Sequence, residues 1–122
     1  MILGIGIDLC DVGRMQDALE KGKFLPRFFS EHEQAYINSR GQCAAQSLAG
    51  HFAAKEAAIK AFGLGLAIPL TDIEIHHDER GAPFYALLGK AAERMQAMGG
   101  QRMHLSITHT GENAAAVAVL EG

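Results

Sequence analysis

Residues 3 to 8 alternate without a break: Leu3, Ile5 and Ile7 point to one side of a strand, and Gly4, Gly6 and Asp8 to the other. Such a strand has one greasy face and one nearly bare face that ends in a carboxylate. Glycine lets another element or a ligand approach the backbone closely, so any fold built on this strand must set something tight against it. A helix packed on Gly4 and Gly6, with Asp8 capping the element behind it, meets that demand. So does a ligand site that uses Asp8.

The rest of the chain supplies partners for this strand. Asp11 or Val12 opens a short helix to about Lys21, with Gly22 as its C-terminal cap. Lys21 to Phe29 carries three cations and no acid. Ser30-Glu31-His32-Glu33 has the form of a capping box and starts a helix to about Ser39, which Arg40-Gly41-Gln42 breaks. About Ala44 to Phe62 is the strongest helix, dense in alanine and closed by Gly63; its apolar stripe is Leu48, Phe52, Ile59 and Phe62. Gly63-Leu64-Gly65 and Pro69 mark a loop.

Thr71 to His77 and Ala82 to Leu87 read as a hairpin across Asp78-Glu79-Arg80-Gly81. Leu88, Ala91, Met95 and Met98 recur at helical spacing before Gly99-Gly100. Met103 to His109 and Ala114 to Leu120 read as strands around Thr110-Gly111-Glu112-Asn113. Strands and helices mix without regular alternation, so the expected class is α+β. It is a small mixed sheet of mostly antiparallel strands against one long and several short helices, in one domain over residues 1–122.

Composition narrows the function. The 122 residues are 48% hydrophobic and 20% charged, as in ordinary globular chains. The net charge of −3 does not favour bulk nucleic-acid binding. No apolar run reaches the roughly 20 residues needed to cross a bilayer. The start lacks the basic region of a signal peptide, and Cys10 and Cys43 make no disulfide framework, which points to a cytoplasmic protein with free thiols.

Four residues stand out as chemical candidates. Glu56 lies roughly 40° round the helix from Phe52, so it flanks the apolar stripe and needs a partner. Lys60, at i+4, supplies a helix ion pair worth only about 0.2–0.5 kcal/mol. Asp8 and Glu56 together, with a lysine one turn away, instead suit a Mg²⁺–phosphate site. Mg²⁺ takes hard oxygen ligands, and a lysine neutralises charge on a leaving phosphate. His109 ends the strand Ser106-Ile107-Thr108-His109 ahead of Thr110, a surface of hydroxyls and imidazole that can hold phosphate oxygens or simply bond the turn.

His76 and His77 read as a solvated pair, and His51, His104 and His109 lack zinc-site spacing. Gly4-Ile5-Gly6 lacks the remainder of a phosphate loop. Arg14, Lys21, Lys23 and Arg27 form a cationic strip in an acidic chain, either a wet helix face or a surface that steers an acidic protein.

Three segments together resemble the holo-[acyl-carrier-protein] synthase family of short 4′-phosphopantetheinyl transferases. They are Gly4-Ile5-Gly6-Ile7-Asp8 with Arg14, then Phe52-Ala53-Ala54-Lys55-Glu56-Ala57-Ala58-Ile59-Lys60-Ala61-Phe62-Gly63, then Ser106-Ile107-Thr108-His109-Thr110. The resemblance spans essentially the whole chain, including Gly81-Ala82-Pro83.

It implies transfer of the phosphopantetheine arm of coenzyme A to a serine of apo-acyl-carrier protein, releasing adenosine 3′,5′-bisphosphate. It further implies Mg²⁺ on the positions of Asp8 and Glu56, phosphate contact by Lys60, and the adenosine 3′-phosphate end held near His109 and Thr110. Arg14 and Arg27 would grip the acidic carrier protein, and the enzyme would be a homotrimer with active sites between subunits. Either Glu56 or a metal-ordered water would take the serine proton.

Two positions depart from the family pattern. His51 stands where many relatives carry arginine, and Ala82 stands where a lysine is common. The competing reading is a non-catalytic coenzyme A- or nucleotide-binding module, which has no use for both carboxylates. A purely structural trimer is the third.

Overall fold

The computed structural model describes residues 1–63, 65 and 67–122. It opens with β1 (Ile2–Asp11), followed by α1 (Val12–Lys21), α2 (Phe24–Phe28), α3 (Glu31–Asn38) and α4 (Ala44–Phe62). The second half holds β2 (Ile73–His77), β3 (Pro83–Leu87), α5 (Gly89–Ala97), β4 (Arg102–His109) and β5 (Asn113–Glu121). Two antiparallel sheets result, one of three strands in the order β1-β5-β4 and one hairpin of β2 and β3. This is the α+β architecture expected from the sequence.

The helix ends follow local chemistry. The Asp11 side chain accepts the Arg14 amide at 2.9 Å to start α1, and Gly22, at φ 75°, closes it in the left-handed region. Asp11 therefore does the capping considered for Asp8. The Ser30–Glu33 capping box forms, with the Ser30 amide donating to Glu33 Oε1 at 3.0 Å and the Glu33 amide to Ser30 Oγ at 3.3 Å. The C-terminus of α4 is closed twice. The Gly63 amide bonds the carbonyls of Ile59 and Lys60, and the Arg94 guanidinium donates twice to Phe62 O, at 3.2 and 2.9 Å.

The bare face of β1 is the buried one. A Cβ added at Gly4 would overlap the carbonyl oxygen of Ala61, and one at Gly6 that of Ala57, so α4 rests directly on the strand backbone. The greasy face points outward: Ile5, Ile7 and Leu9 are 61%, 65% and 69% exposed. They share that face with Val119, Val117 and Ala115 of β5, their register partners.

Several expectations need correction. α4 is buried almost all round, not along one stripe: Leu48 and Phe62 are fully covered, Phe52 and Ile59 only partly, and Lys55 not at all exposed. The cationic segment after Gly22 forms α2, a helix that periodicity does not announce. Thr71 and Asp72 lie in a short 3-10 turn before β2. His76 and His77 are not a solvated pair. His76 stacks on His32 with ring centroids 4.3 Å apart, and His77 on Tyr36 at 3.9 Å. In the loop after α4, Leu64 lies outside the described residues. Cys10 is buried, Cys43 exposed, and both are free. The chain's two ends meet, the Met1 amine donating to Gly122 O at 3.0 Å and the Gly122 amide to Met1 O at 2.9 Å.

Candidate active site

The tight seat of α4 on β1 brings Asp8 beside the C-terminal half of the helix. From Gly4 onward the even-numbered β1 residues face α4, so Asp8 does so, one step beyond the glycines that let the helix approach. Lys60 donates to Asp8 Oδ1 and to the carbonyl oxygen of Ile7, both at 3.0 Å. The i+4 pairing of Glu56 with Lys60 expected from the sequence is not the bond that forms. The lysine reaches across to the strand, because Asp8 and a strand carbonyl offer it two acceptors.

Glu56 is left as a half-buried carboxylate. Its carboxyl is held above its ordinary range, first by burial and then by the negative charge of Asp8, while Lys60 and Arg14 pull the other way. Asp8, Glu56, Lys60 and Arg14 therefore share one electrostatic neighbourhood. Asp8 and Glu56 are two hard oxygen donors from different elements, close enough to repel. A divalent cation would relieve that repulsion, so the residues present fit Mg²⁺. Cys10, the next inward residue on β1, is buried, and burial pushes its thiol up; it is an inert neighbour of the site.

The other site residues fall elsewhere. His109 ends β4 on the helix-facing side of the sheet, two strands from Cys10, and borders a cleft of about 270 Å³. That cleft also touches Arg40, His51, His77 and Gly81, and lies toward the N-terminal half of α4. Thr110 does not line it. Its hydroxyl accepts the amides of Glu112 and Asn113 at 3.2 and 3.1 Å and so holds its own turn together. Arg14 and Arg27 share a groove of about 440 Å³ with Lys21, Lys23 and Phe24. Each guanidinium sits over a ring, Arg14 at 5.9 Å from Phe52 and Arg27 at 5.1 Å from Phe28.

His51, the departure from the family pattern, is buried at the edge of the His109 cleft. Its Nδ1 lies 2.5 Å from Ser47 O, and burial lowers its basicity to a pKa of about 4. Near neutral pH it is therefore uncharged. The glutamate and lysine missed by sequence reading are Glu33 and Lys55, an ion pair of 2.8 Å with both side chains fully enclosed. A usable signal existed: Lys55 lies seven residues from both Leu48 and Phe62, within about 20° of the same helix face.

Residues 4–118 match the model of the 4′-phosphopantetheinyl transferase superfamily. A holo-[acyl-carrier-protein] synthase of Treponema denticola is 48% identical, with both chains covered completely. The crystal structure of the Neisseria meningitidis holo-[acyl-carrier-protein] synthase superposes with a TM-score of 0.87 at 31% identity, again over all of both chains. That of the Helicobacter pylori synthase, in complex with coenzyme A, does so at 0.82 and 33% identity, covering 96% of this chain and 99% of the other. A strand that bares its backbone to an alanine-rich helix, and so sets Asp8 beside Glu56, is thus a feature of a chain that belongs to the 4′-phosphopantetheinyl transferase superfamily.

Proposed function

We infer that the chain is a holo-[acyl-carrier-protein] synthase acting through the residues assembled around Asp8. It transfers the 4′-phosphopantetheine group of coenzyme A to a serine of apo-acyl-carrier protein and releases adenosine 3′,5′-bisphosphate. The observation that carries the assignment of residues is the carboxylate pair: Asp8 and Glu56 raise each other's electrostatic energy, and Lys60 stands beside them.

Asp8 and Glu56 would hold Mg²⁺, which when bound supplies charge neutralisation and polarisation of the diphosphate. Lys60, with its Asp8 bond already in place, is a cation within reach of the leaving phosphate. Either Glu56 or an ordered water beside it takes the proton that the attacking serine gives up. Phosphoryl-type transfer needs little else from the protein than position and charge.

The cationic groove around Arg14 and Arg27 receives the acidic carrier protein, and steering of this kind acts mainly on association. His109 borders the cleft we assign to the nucleotide end, and Thr110 shapes the turn that follows it. Within one chain the His109 cleft and the Asp8 neighbourhood do not share a cavity. The outward Ile5, Ile7 and Leu9 face supplies the means to join one copy's half-site to another's. A homotrimer in the cytoplasm, taking no nucleic acid and no membrane as partner, is the assembly we assign.

The deciding experiment weighs an apo-carrier protein after incubation with coenzyme A and Mg²⁺. Glu56→Gln should lower turnover by about 100-fold or more. Undiminished turnover in that variant sinks the role given to Glu56, and no mass gain with the unaltered chain sinks the activity.

A further inference from the structure

The position of Glu56 and Lys60 depends on how α4 is turned about its own axis, and ordinary packing sets that angle weakly. Helices settle where ridges of side chains enter grooves. Leu48 and Phe62 are the large apolar side chains that α4 fully buries; its other buried apolar residues are Ala45, Ala49, Ala53, Ala54, Ala57, Ala58 and Ala61, and part of what these meet is the glycine backbone of β1. Alanine ridges on a glycine floor are shallow. They permit close approach, yet resist a small rotation or slide poorly.

Directional bonds supply what the packing lacks. Lys55 Nζ donates to Glu33 Oε1 at 2.8 Å, to Leu70 O at 2.9 Å and to Ile73 O at 2.8 Å, which uses all three of its hydrogens. Glu33 is equally occupied, accepting the Ser30 amide on Oε1 and the Ile75 amide on Oε2, each at 3.0 Å. One helix residue is thus bonded to the start of α3, to the 3-10 turn that follows the loop after α4, and to β2. A second directional bond lies next to it, from Tyr85 Oη to Ala54 O at 2.5 Å.

Stability alone does not explain the pair, since a buried ion pair is often no more stabilising than apolar residues of the same volume. We propose that Lys55 and Glu33 are positioning residues for the transfer reaction: their bonds fix the rotation of α4 and thereby place Glu56 and Lys60 against Asp8. The pair rests on the functional reading above and extends it to residues that touch no substrate.

The test uses the whole chain with coenzyme A, Mg²⁺ and an apo-acyl-carrier protein. Glu33→Gln keeps the side-chain shape, and the double variant Lys55→Met/Glu33→Gln removes both charges. The double variant should still bind one coenzyme A per chain by calorimetry, with KM for coenzyme A within about 2-fold. Its kcat should fall by about 10-fold or more, as misplacement of reacting groups demands. Glu33→Gln should show the same split on a smaller scale. A merely structural role would lower the number of coenzyme A sites together with the rate.

A folded double variant with wild-type kcat overturns the proposal. Should the double variant not fold, Glu33→Gln and Tyr85→Phe decide, and wild-type kcat in both overturns it. A wild-type chain that modifies no carrier overturns the functional reading instead. The positioning role is then read from the backbone amide shifts of Glu56 and Lys60 in Glu33→Gln: moved if the pair sets the helix, unmoved if it does not.

Discussion

Two lysine–carboxylate pairs flank α4, and they are built to opposite specifications. Lys55 and Glu33 are wholly enclosed, with every lysine hydrogen and both carboxylate oxygens in use. Lys60 and Asp8 meet at 3.0 Å with side chains 43% and 18% exposed, and Glu56 stands beside them with no lysine of its own. A closed pair has nothing to offer a ligand; it can only hold the protein to itself. The open one keeps oxygens and a cation free to change partners. The same residue types therefore separate into a fixed side and a working side through enclosure alone.

That contrast can be broken by removing one member at a time. Lys55→Met leaves Glu33 buried without its cation, so it should destabilise the chain by about 3–5 kcal/mol in denaturant unfolding. A loss below about 1 kcal/mol would mean that the enclosed pair is as dispensable as an exposed one.

Acid probes the same interior through His51, whose low pKa comes first from burial and, among smaller causes, from the charges of His77, Lys55 and Arg40. Its folded value is about 4 against 6.5 for the free group, so between these limits the unfolded chain binds more protons. Stability should be undiminished by this group above pH 6.5 and should fall, by on the order of 3 kcal/mol, as pH drops toward 4. The imidazole of His77, also lowered by burial, adds to the loss in the same direction. His51→Phe should flatten the slope, and a slope unchanged in that variant would assign it to other groups.

The smallest effect belongs to the open pair. Lys60→Met should change the melting free energy by less than about 1 kcal/mol while lowering carrier modification, since a half-exposed ion pair adds little to folding. Equal loss of stability from Lys60→Met and Lys55→Met would erase the distinction.

What the sequence disclosed is mostly what is local. The Ser30–Glu33 capping box, the Gly22 cap and the alternation of β1 are each written within a few residues, and each is found in the fold, the last only from Gly4 on, because a register shift turns Leu3 toward the core. Glu33 was legible as a capping residue but not as the partner of Lys55, because the second role joins residues 22 apart in sequence. The choice of Lys60 for Asp8 over Glu56 is likewise hidden, since the helix offers the lysine a partner one turn away and only the fold offers a better one. α2 has no readable stripe because five residues span little more than one turn. His76 and His77 looked solvated because nothing local reveals that Tyr36 and His32 will lie across them. The direction of the β1 faces is the sharpest lesson. Greasy residues need not point inward when glycine is what the helix requires.

The meeting of Met1 with Gly122 makes the chain nearly a closed loop. A few added residues would suffice to splice one end to the other, and fresh ends could then be cut at the Asp78–Gly81 hairpin turn, whose residues carry none of the bonds around α4. A circular permutant made this way would begin and finish far along the sequence from Asp8. In it, β1 would become an interior segment, with its seat under α4 unchanged.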